Sequence, residues 1–408
     1  YILASRLGRR DGAPCTLIGR DLRSSMLNAA LVNGTAATWL DFDPGHRPPP
    51  GKPLLPAAHP AVHLVPSALA AAEAMRVSGT ELLTALVVGY DVGARIGMAS
   101  RLRAEVHPHG TYHNVSAASA VARIKGADLK RMKKTIRMGI HLEIMPSFEN
   151  ALQGRTVRNV YAGVGAAAGI LAAQLAIADF IPEQNVLGSI YGGIISLCLD
   201  PERVVKGLGR QYEITKGFIK PFAMCRFAHP AVEAAEGLIK KNPIDPGDIE
   251  RVDVMTFDWA AVLNDPAPET DLAAKFSVPW GVASMLVNGS AGAEDFRSKA
   301  LQDDRVRAVA ARVHVKEDPR YTAVTPQERP AQVTVKTRQG KTYTYEVKRS
   351  GGGPGAPLPQ DKINQKFRSL AEPVIGQEQA EALISKVEKL EATTDIRDIT
   401  KLLIPPVS

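Results

Sequence analysis

Between residues 27 and 208 the apolar positions fall in successive Ala-rich stretches broken by Gly and Pro, with almost no alternation of apolar and polar residues. That pattern predicts a domain built of helices. Further along, the period shortens: RVDVMTF (251–257), ARVHVKE (311–317) and AQVTVKT (331–337) alternate as half-buried strands do. The third is predicted to pair with KTYTYEVK through a turn at Arg338, Gln339 and Gly340, a hairpin signal. Helical stretches, HPAVEAAEGLIKK and VPWGVASMLVNG, lie between these strands. GGGPGAPLP (351–359) then breaks the chain before a charged helical tail over 362–403, predicted to return to the first domain. The fold expected is mostly α: a large all-helical domain over 1–212, a smaller α+β domain with a mainly antiparallel sheet over 213–350, and a linker with a C-terminal return over 351–408. No internal repeat of the 20 to 50 residues typical of arrays is visible.

Two details qualify the helical region. Pro66 follows Pro60 by six residues, so the helix AVHLVPSALAAAEAM is expected to be short or kinked. The stretch VYAGVGAAAGILAAQLAIA (160–178) is apolar enough to raise the question of a membrane, but its small residues and Gln174 favour a helix packed tightly among others.

Composition narrows the classes. The chain has 408 residues, 45% of them hydrophobic, which allows two domains with a large core. Three scattered cysteines, Cys15, Cys198 and Cys225, do not make a disulfide framework and fit a reducing, cytoplasmic setting. The chain opens at Tyr1 without a legible signal peptide, and is expected to be a trimmed product. A net charge of +8 admits nucleic acid as a partner, but aromatics are only 5% and no recognition module is present, so an anionic small molecule is the better explanation. The dinucleotide fingerprint, the phosphate-binding loop and the serine nucleophile elbow are each missing a required residue: Gly163, Gly165 and Gly169 are spaced one residue too widely, and Val335 stands where the loop's first glycine is needed.

Candidate chemistry gathers at four places where a loop meets a helix. NGTAATWLDFDPGHRPPPGKPLLPAAHP brings Asp41, Asp43, His46 and His59 around a proline-rich turn, with Pro60 able to open the next helix. VHPHGTYHNVSAASAVARIKG carries His107, His109 and His113, QGRTVRNVYAG carries Arg155 and Arg158, and KPFAMCRFAHPAVEA carries Lys220, Cys225, Arg226 and His229. Imidazoles move protons near neutral pH and guanidinium groups grip carboxylates in pairs of hydrogen bonds, so the set suits a polycarboxylic acid. His141 and His314 are assigned structural roles. The pairs His59/His63 and His109/His113 have the four-residue spacing of zinc ligands, but HPAVH lacks the glutamate of the zincin motif and no cysteine pair supports a metal, so a metal-free, cofactor-free acid/base site is preferred.

These segments, with SGTELLTALVVGYDVGARIG, AKFSVPW and GAPLPQDKINQKF, resemble the MmgE/PrpD family of 2-methylcitrate dehydratases, cis-aconitate decarboxylases and iminodisuccinate epimerases along nearly the whole chain. The resemblance implies a helical domain with an α+β lid, a homodimer, no cofactor, a cleft between the domains as active site, and further helical sequence before YILASRLG. It places the catalytic aspartate at Asp41 and family histidines at His59, His107 and His229. The motif A-H-x-L-D-F-D-D departs at Thr38 and Pro44, a threonine of the decarboxylase branch is Gly45, its lysine is Arg158, its lid tyrosine is Trp280, and two glycines become His113 and Ser116.

From these residues a mechanism is expected in which Arg158, with Lys220 or Arg226, clamps substrate carboxylates. His107 and His59 exchange protons as base and acid, and Asp41 orients an imidazole. His109 and Trp280 complete the expected substrate contacts, Trp280 offering only its indole N–H. Dehydration of a 2-methylcitrate-like acid is the expected reaction, with decarboxylation or epimerisation as alternatives. A noncatalytic acid-binding relative and a zinc hydrolase are the competing readings.

Overall fold

The computed structural model describes residues 2–9, 12–46 and 59–406, so the proline-rich turn expected over 47–58 lies outside the described residues. The helical domain is centred on Val160–Ile177, which packs against Met26–Trp39, Ala61–Met75, His113–Ile124 and Leu129–His141. Small residues set those distances. A side chain at Gly163 would strike the Leu31 carbonyl at 2.2 Å, and one at Gly165 would strike the His63 ring at 2.6 Å. The small-residue stretch is therefore the hub of the bundle. Gly79–Ala99 and Thr156–Ile177 are long and apolar enough to cross a membrane by length and composition, and both are mostly buried against neighbouring helices.

Helix boundaries follow local chemistry. Ser25 caps Met26–Trp39 by accepting from the Asn28 amide, Ser78 and Glu81 form a reciprocal capping box, and Asp128 accepts from the Arg131 amide. The Ala61–Met75 helix continues through Pro66 for 15 residues, so of the two expectations, short or kinked, the first does not hold. Its lost hydrogen bond is offset by the burial of Val62, His63, Leu64, Ala68, Ala71 and Ala72.

Short strand pairs also occur in the helical region, where none was legible: Cys15–Thr16 with Arg23–Ser24, and Ser100–Leu102 with Ser196–Leu199. Another, Gly45–His46 with Gly217–Phe218, ties the loop after Asp43 to the start of the α+β domain. Strands this short carry no detectable alternation.

In the α+β domain four strands lie in the order Thr342–Val347, Ala331–Thr337, Ile249–Thr256, Val313–Glu317. The first two make the expected hairpin, with Gly340 at φ 79° in its turn, and only the last pair is parallel. Val252, Val254, Val333 and Val335 turn inward against the helices His229–Lys241 and Val278–Asn288.

The tail forms Gln360–Ile375 and Gln377–Glu388, whose Ile375, Ala380 and Leu383 join Leu64, Ala68 and Ile170 in the helical core. The glycine-rich break before it is pinned at its start: the Ile219 amide donates to the Gly352 carbonyl, and the Gly351 amide donates to Glu233.

Candidate functional site

Met26–Trp39 ends at Leu40, and Asp41 follows in the left-handed region at φ 48°. Aspartate is among the few residues that enter that region at small cost. The turn aims the Asp41 carboxylate into the protein, where Arg158 Nη2 meets Oδ1 at 2.6 Å and Lys220 Nζ meets Oδ2 at 2.9 Å. Lys220 also donates to the Asp41 carbonyl at 2.7 Å and stands 3.8 Å from Asp43 Oδ1. All four side chains are buried. Burial works against an ionised Asp43, but Lys220, then His59 and Arg158, outweigh it and hold its carboxyl far below the usual carboxylate range.

Asp43 leads to the imidazoles. His59 Nδ1 lies 2.8 Å from Asp43 Oδ2, a charge contact whose angle falls short of an aligned hydrogen bond, and donates at 3.3 Å to the Pro44 carbonyl. Its ring stands 4.7 Å from that of His109, which is 5.0 Å from His107 and 5.5 Å from His63. Backbone amides fix three of these rings as neutral, because a nitrogen that accepts from an N–H carries no proton itself. The His109 amide donates to His107 Nδ1, Gly110 to His63 Nε2, and His59 to His113 Nε2. Burial acts in the same direction: it pushes His63 down to about 3 and His107, His109 and His113 well below the usual value, with Arg158 adding its charge at His107 and His109. His109 is fully buried, and among the described residues neither ring nitrogen has a hydrogen-bond partner.

Two more cations stand close. Lys275 donates to the Trp39 carbonyl at 2.9 Å, and burial lowers its pKa. Lys366, from the tail, donates to the carbonyls of Phe42 and Lys220 and sits 3.6 Å from the Phe42 ring centroid; burial, with Lys220 beside it, lowers its pKa to about 7.

The structure thus brings together Asp41, His59, His107, His109, Arg158 and Lys220. The other three predicted residues have their polar groups engaged elsewhere. His229 is held on both nitrogens, Nε2 donating to the Met224 carbonyl and Nδ1 accepting from Arg226. Arg226 spends its other terminal nitrogen on the carbonyls of Ser350 and Gly351 and stacks over Phe218, so it secures the glycine-rich segment and is not free to clamp a substrate. Trp280 is a core residue whose indole donates to the Asp295 carbonyl. Asp41 orients two cations, while the imidazole contact expected of it belongs to Asp43. Arg155 is exposed.

Lys275 and Lys366 were not among the expected site residues, and Asp43, a candidate in the opening segment, had no role in the expected mechanism. Lys275 lies in AKFSVPW and Lys366 in GAPLPQDKINQKF, both segments that carry the family resemblance, and a charged residue inside each was the available signal.

Among the described residues Asp43, His59 and His109 offer one donor atom each within 4.8 Å, the geometry of a metal site. The four-residue pairs do not supply it, since one ring nitrogen of His63 and one of His113 each hold a backbone amide. A divalent cation there would stand beside Lys220 and Arg158, and that charge environment favours an anion.

Comparison with known proteins agrees with the site's composition. The MmgE/PrpD N-terminal domain matches residues 4–204 and the MmgE/PrpD C-terminal domain matches 222–392. The chain is 26% identical to cis-aconitate decarboxylase of Mus musculus, over 96% of this chain and 81% of that protein. It is 25% identical to the cis-aconitate decarboxylase-like protein oryM of Aspergillus oryzae, over 95% of this chain and 84% of that protein. With cis-aconitate decarboxylase of Aspergillus terreus the identity is 24%, over 100% of this chain and 87% of the other.

Proposed function

The chain belongs to the MmgE/PrpD family of enzymes, and from that premise we propose that it is a cofactor-free lyase acting on a small di- or tricarboxylic acid, with decarboxylation of a cis-aconitate-like acid as its reaction. One observation carries the reading: a continuous buried chain of contacts from Arg158 through Asp41, Lys220 and Asp43 to His59 and His109. Asp41 and Asp43 face Arg158, Lys220, Lys275 and Lys366, so cations outnumber anions and a substrate carboxylate completes the balance.

In this reading Arg158 and Lys220 hold the acid and stabilise the enediolate-like charge that grows when a carboxylate leaves as carbon dioxide. The electron pair of the broken bond stays on the carbon skeleton, and an imidazole delivers the proton that completes the new C–H bond. His59 suits that task. Asp43 and the Pro44 carbonyl hold its Nδ1 side, so Nε2 points to the reaction, and Asp43 compensates the charge the ring carries when protonated. His107, fixed as the Nε2–H tautomer, is a second donor.

Dehydration of a 2-methylcitrate-like acid is the second reading, favoured by Arg158 and Gly45 standing where the decarboxylase branch has lysine and threonine. It needs the same groups, with the proton given to a departing hydroxyl. Supplying cis-aconitate, citrate, 2-methylcitrate and iminodisuccinate in deuterated water and following proton NMR separates these outcomes. Carbon dioxide release with deuterium at carbon supports decarboxylation, loss of water supports dehydration, and neither turnover nor exchange with any acid overturns the proposal. The same reading carries a homodimer and a reducing cytoplasmic location, in keeping with free Cys15, Cys198 and Cys225.

A further inference from the structure

Two buried imidazoles have no part in the proposed proton transfers, and both are turned toward the same peptide unit. His63 lies in the first turn of the helix Ala61–Met75, His113 opens the helix His113–Ile124, and neither is exposed. His113 Nε2 accepts the His59 N–H at 2.9 Å, and His63 Nδ1 meets the His59 carbonyl at 3.3 Å. The tautomers agree with that division. His63 Nε2 accepts the Gly110 N–H at 3.1 Å, so its ring proton is on Nδ1, where it can be donated to the carbonyl. His113 likewise carries its proton on Nδ1, which has no hydrogen-bond partner among the described residues. A buried donor left unpaired calls for an explanation, and the acceptor at the other end of the ring supplies one.

The helix itself does not provide this hold. Its hydrogen-bond ladder begins at the Pro60 carbonyl, which takes the His63 and Leu64 amides, so His59 stands just outside it. The two rings brace each other with centroids 4.8 Å apart, and Gly165 on the central helix leaves the space that the His63 ring fills. Through the Gly110 amide the same ring is tied to the loop that carries His107 and His109. His59 is therefore fixed at its N–H and its carbonyl by imidazoles, and at its ring Nδ1 by Asp43 and the Pro44 carbonyl.

We propose that His63 and His113 are positioning residues for the proton donor: they hold the His59 peptide unit from its two sides and so set where its ring stands against Asp43. The assignment rests on the proposed function for the part His59 plays in the reaction, and on the hydrogen bonds alone for the hold. A displacement of about 1 Å in a reacting group costs on the order of a hundredfold in rate, and a peptide unit free to turn carries its side chain through such a distance.

The test compares His113→Phe, which keeps a ring but has no acceptor, with His113→Gln, whose amide oxygen reaches about as far as Nε2. Hydrogen exchange of the His59 amide is followed by NMR in protein labelled with 15N-histidine, its signal identified by its loss in His59→Gln. The amide should exchange slowly in the unmodified protein and in His113→Gln, and at least about tenfold faster in His113→Phe. With the acid that the unmodified protein turns over, kcat should fall about tenfold to a hundredfold in His113→Phe while KM stays within about threefold, and His113→Gln should restore most of the loss. Should the Phe variant not fold, His113→Asn, whose shorter side chain stops short of the His59 amide, takes its place. Across these variants kcat should track the protection of the amide, and a variant that loses one and keeps the other overturns the proposal. So does a rise in KM with kcat unchanged. If no acid is turned over by the unmodified protein, the proposed reaction fails but the hold is still decided by exchange: a His59 amide equally protected with and without the His113 acceptor overturns it.

Discussion

Three His-Pro dipeptides mark this chain, His59-Pro60 and His107-Pro108 in the helical domain and His229-Pro230 in the α+β domain, and their surroundings differ in kind. His229 has both ring nitrogens committed, to the Met224 carbonyl and to Arg226. His107 commits one and His59 rests one edge against Asp43 and Pro44, so each keeps Nε2 for other use. The arginines divide in the same way. Arg226 is committed to the Ser350 and Gly351 carbonyls and to His229, whereas Arg158 meets a carboxylate, and among the described residues its Nε has no hydrogen-bond partner. Buried polar atoms without partners cost on the order of 1–3 kcal/mol each. Among the described residues His109 and Arg158 hold such atoms beside the charged cluster, where a bound anion with hydrogen-bonding oxygens would offset that cost. The difference separates reagents from scaffold among these four residues: His59 and Arg158 keep a nitrogen available, while His229 and Arg226 are committed to each other and to backbone carbonyls.

The sharpest way to break this division is to exchange histidines. His59→Gln or Asp43→Asn should lower turnover by about 10²–10⁴ with an unchanged circular-dichroism spectrum, since proton transfer and ring orientation are removed. His229→Gln should lower thermal stability and leave turnover per folded molecule within about tenfold. A loss at His229 as large as at His59, in a protein that melts normally, would place His229 among the reagents.

A smaller effect separates the arginines. Arg158→Met removes a charge-assisted contact to the substrate, and the KM for the acid should rise about tenfold to a hundredfold. Arg226→Met should instead destabilise by about 2–4 kcal/mol, read from urea midpoints, because its partners at Ser350, Gly351 and His229 lose their donor. Similar KM increases in both variants would mean that Arg226 also reaches the acid.

How much of this was legible follows from what each feature leaves in the sequence. The strands 331–337 and 342–347 were readable because alternating burial writes itself into every second residue, with Ala331, Val333 and Val335 inside. Asp41, His59, His107, Arg158 and Lys220 were readable because chemistry of this type sits where loops enter helices. Trp280 was misplaced because only the fold shows that its helix turns toward the sheet. Asp43 and Asp41 are two residues apart in the same turn, and the backbone at Asp41, φ 48°, decides which carboxylate meets the cations and which meets His59. The pairing of Gly45–His46 with Gly217–Phe218 involves too few residues to show a period. Lys275 and Lys366 were hidden for a different reason: each reaches the site from far along the chain, and their targets are backbone carbonyls, which have no sequence signature.

Lys366 offers the finest test of the same division, because it belongs to the tail and yet its charge bears on the site. Burial and Lys220 depress its pKa to about 7, so its ammonium form is present below neutrality and is lost as pH rises through that value. A bound anion gains from the charge only while it is present. Affinity for the acid should therefore fall severalfold between pH 6 and pH 8.5, a range in which Asp43, held far below the usual carboxylate value, stays ionised. Lys366→Arg keeps its charge throughout and should flatten the dependence at the tighter level, and Lys366→Met should flatten it at the weaker one. If both variants keep the slope of the unmodified protein, the titrating group lies elsewhere, and the tail belongs with the scaffold alone.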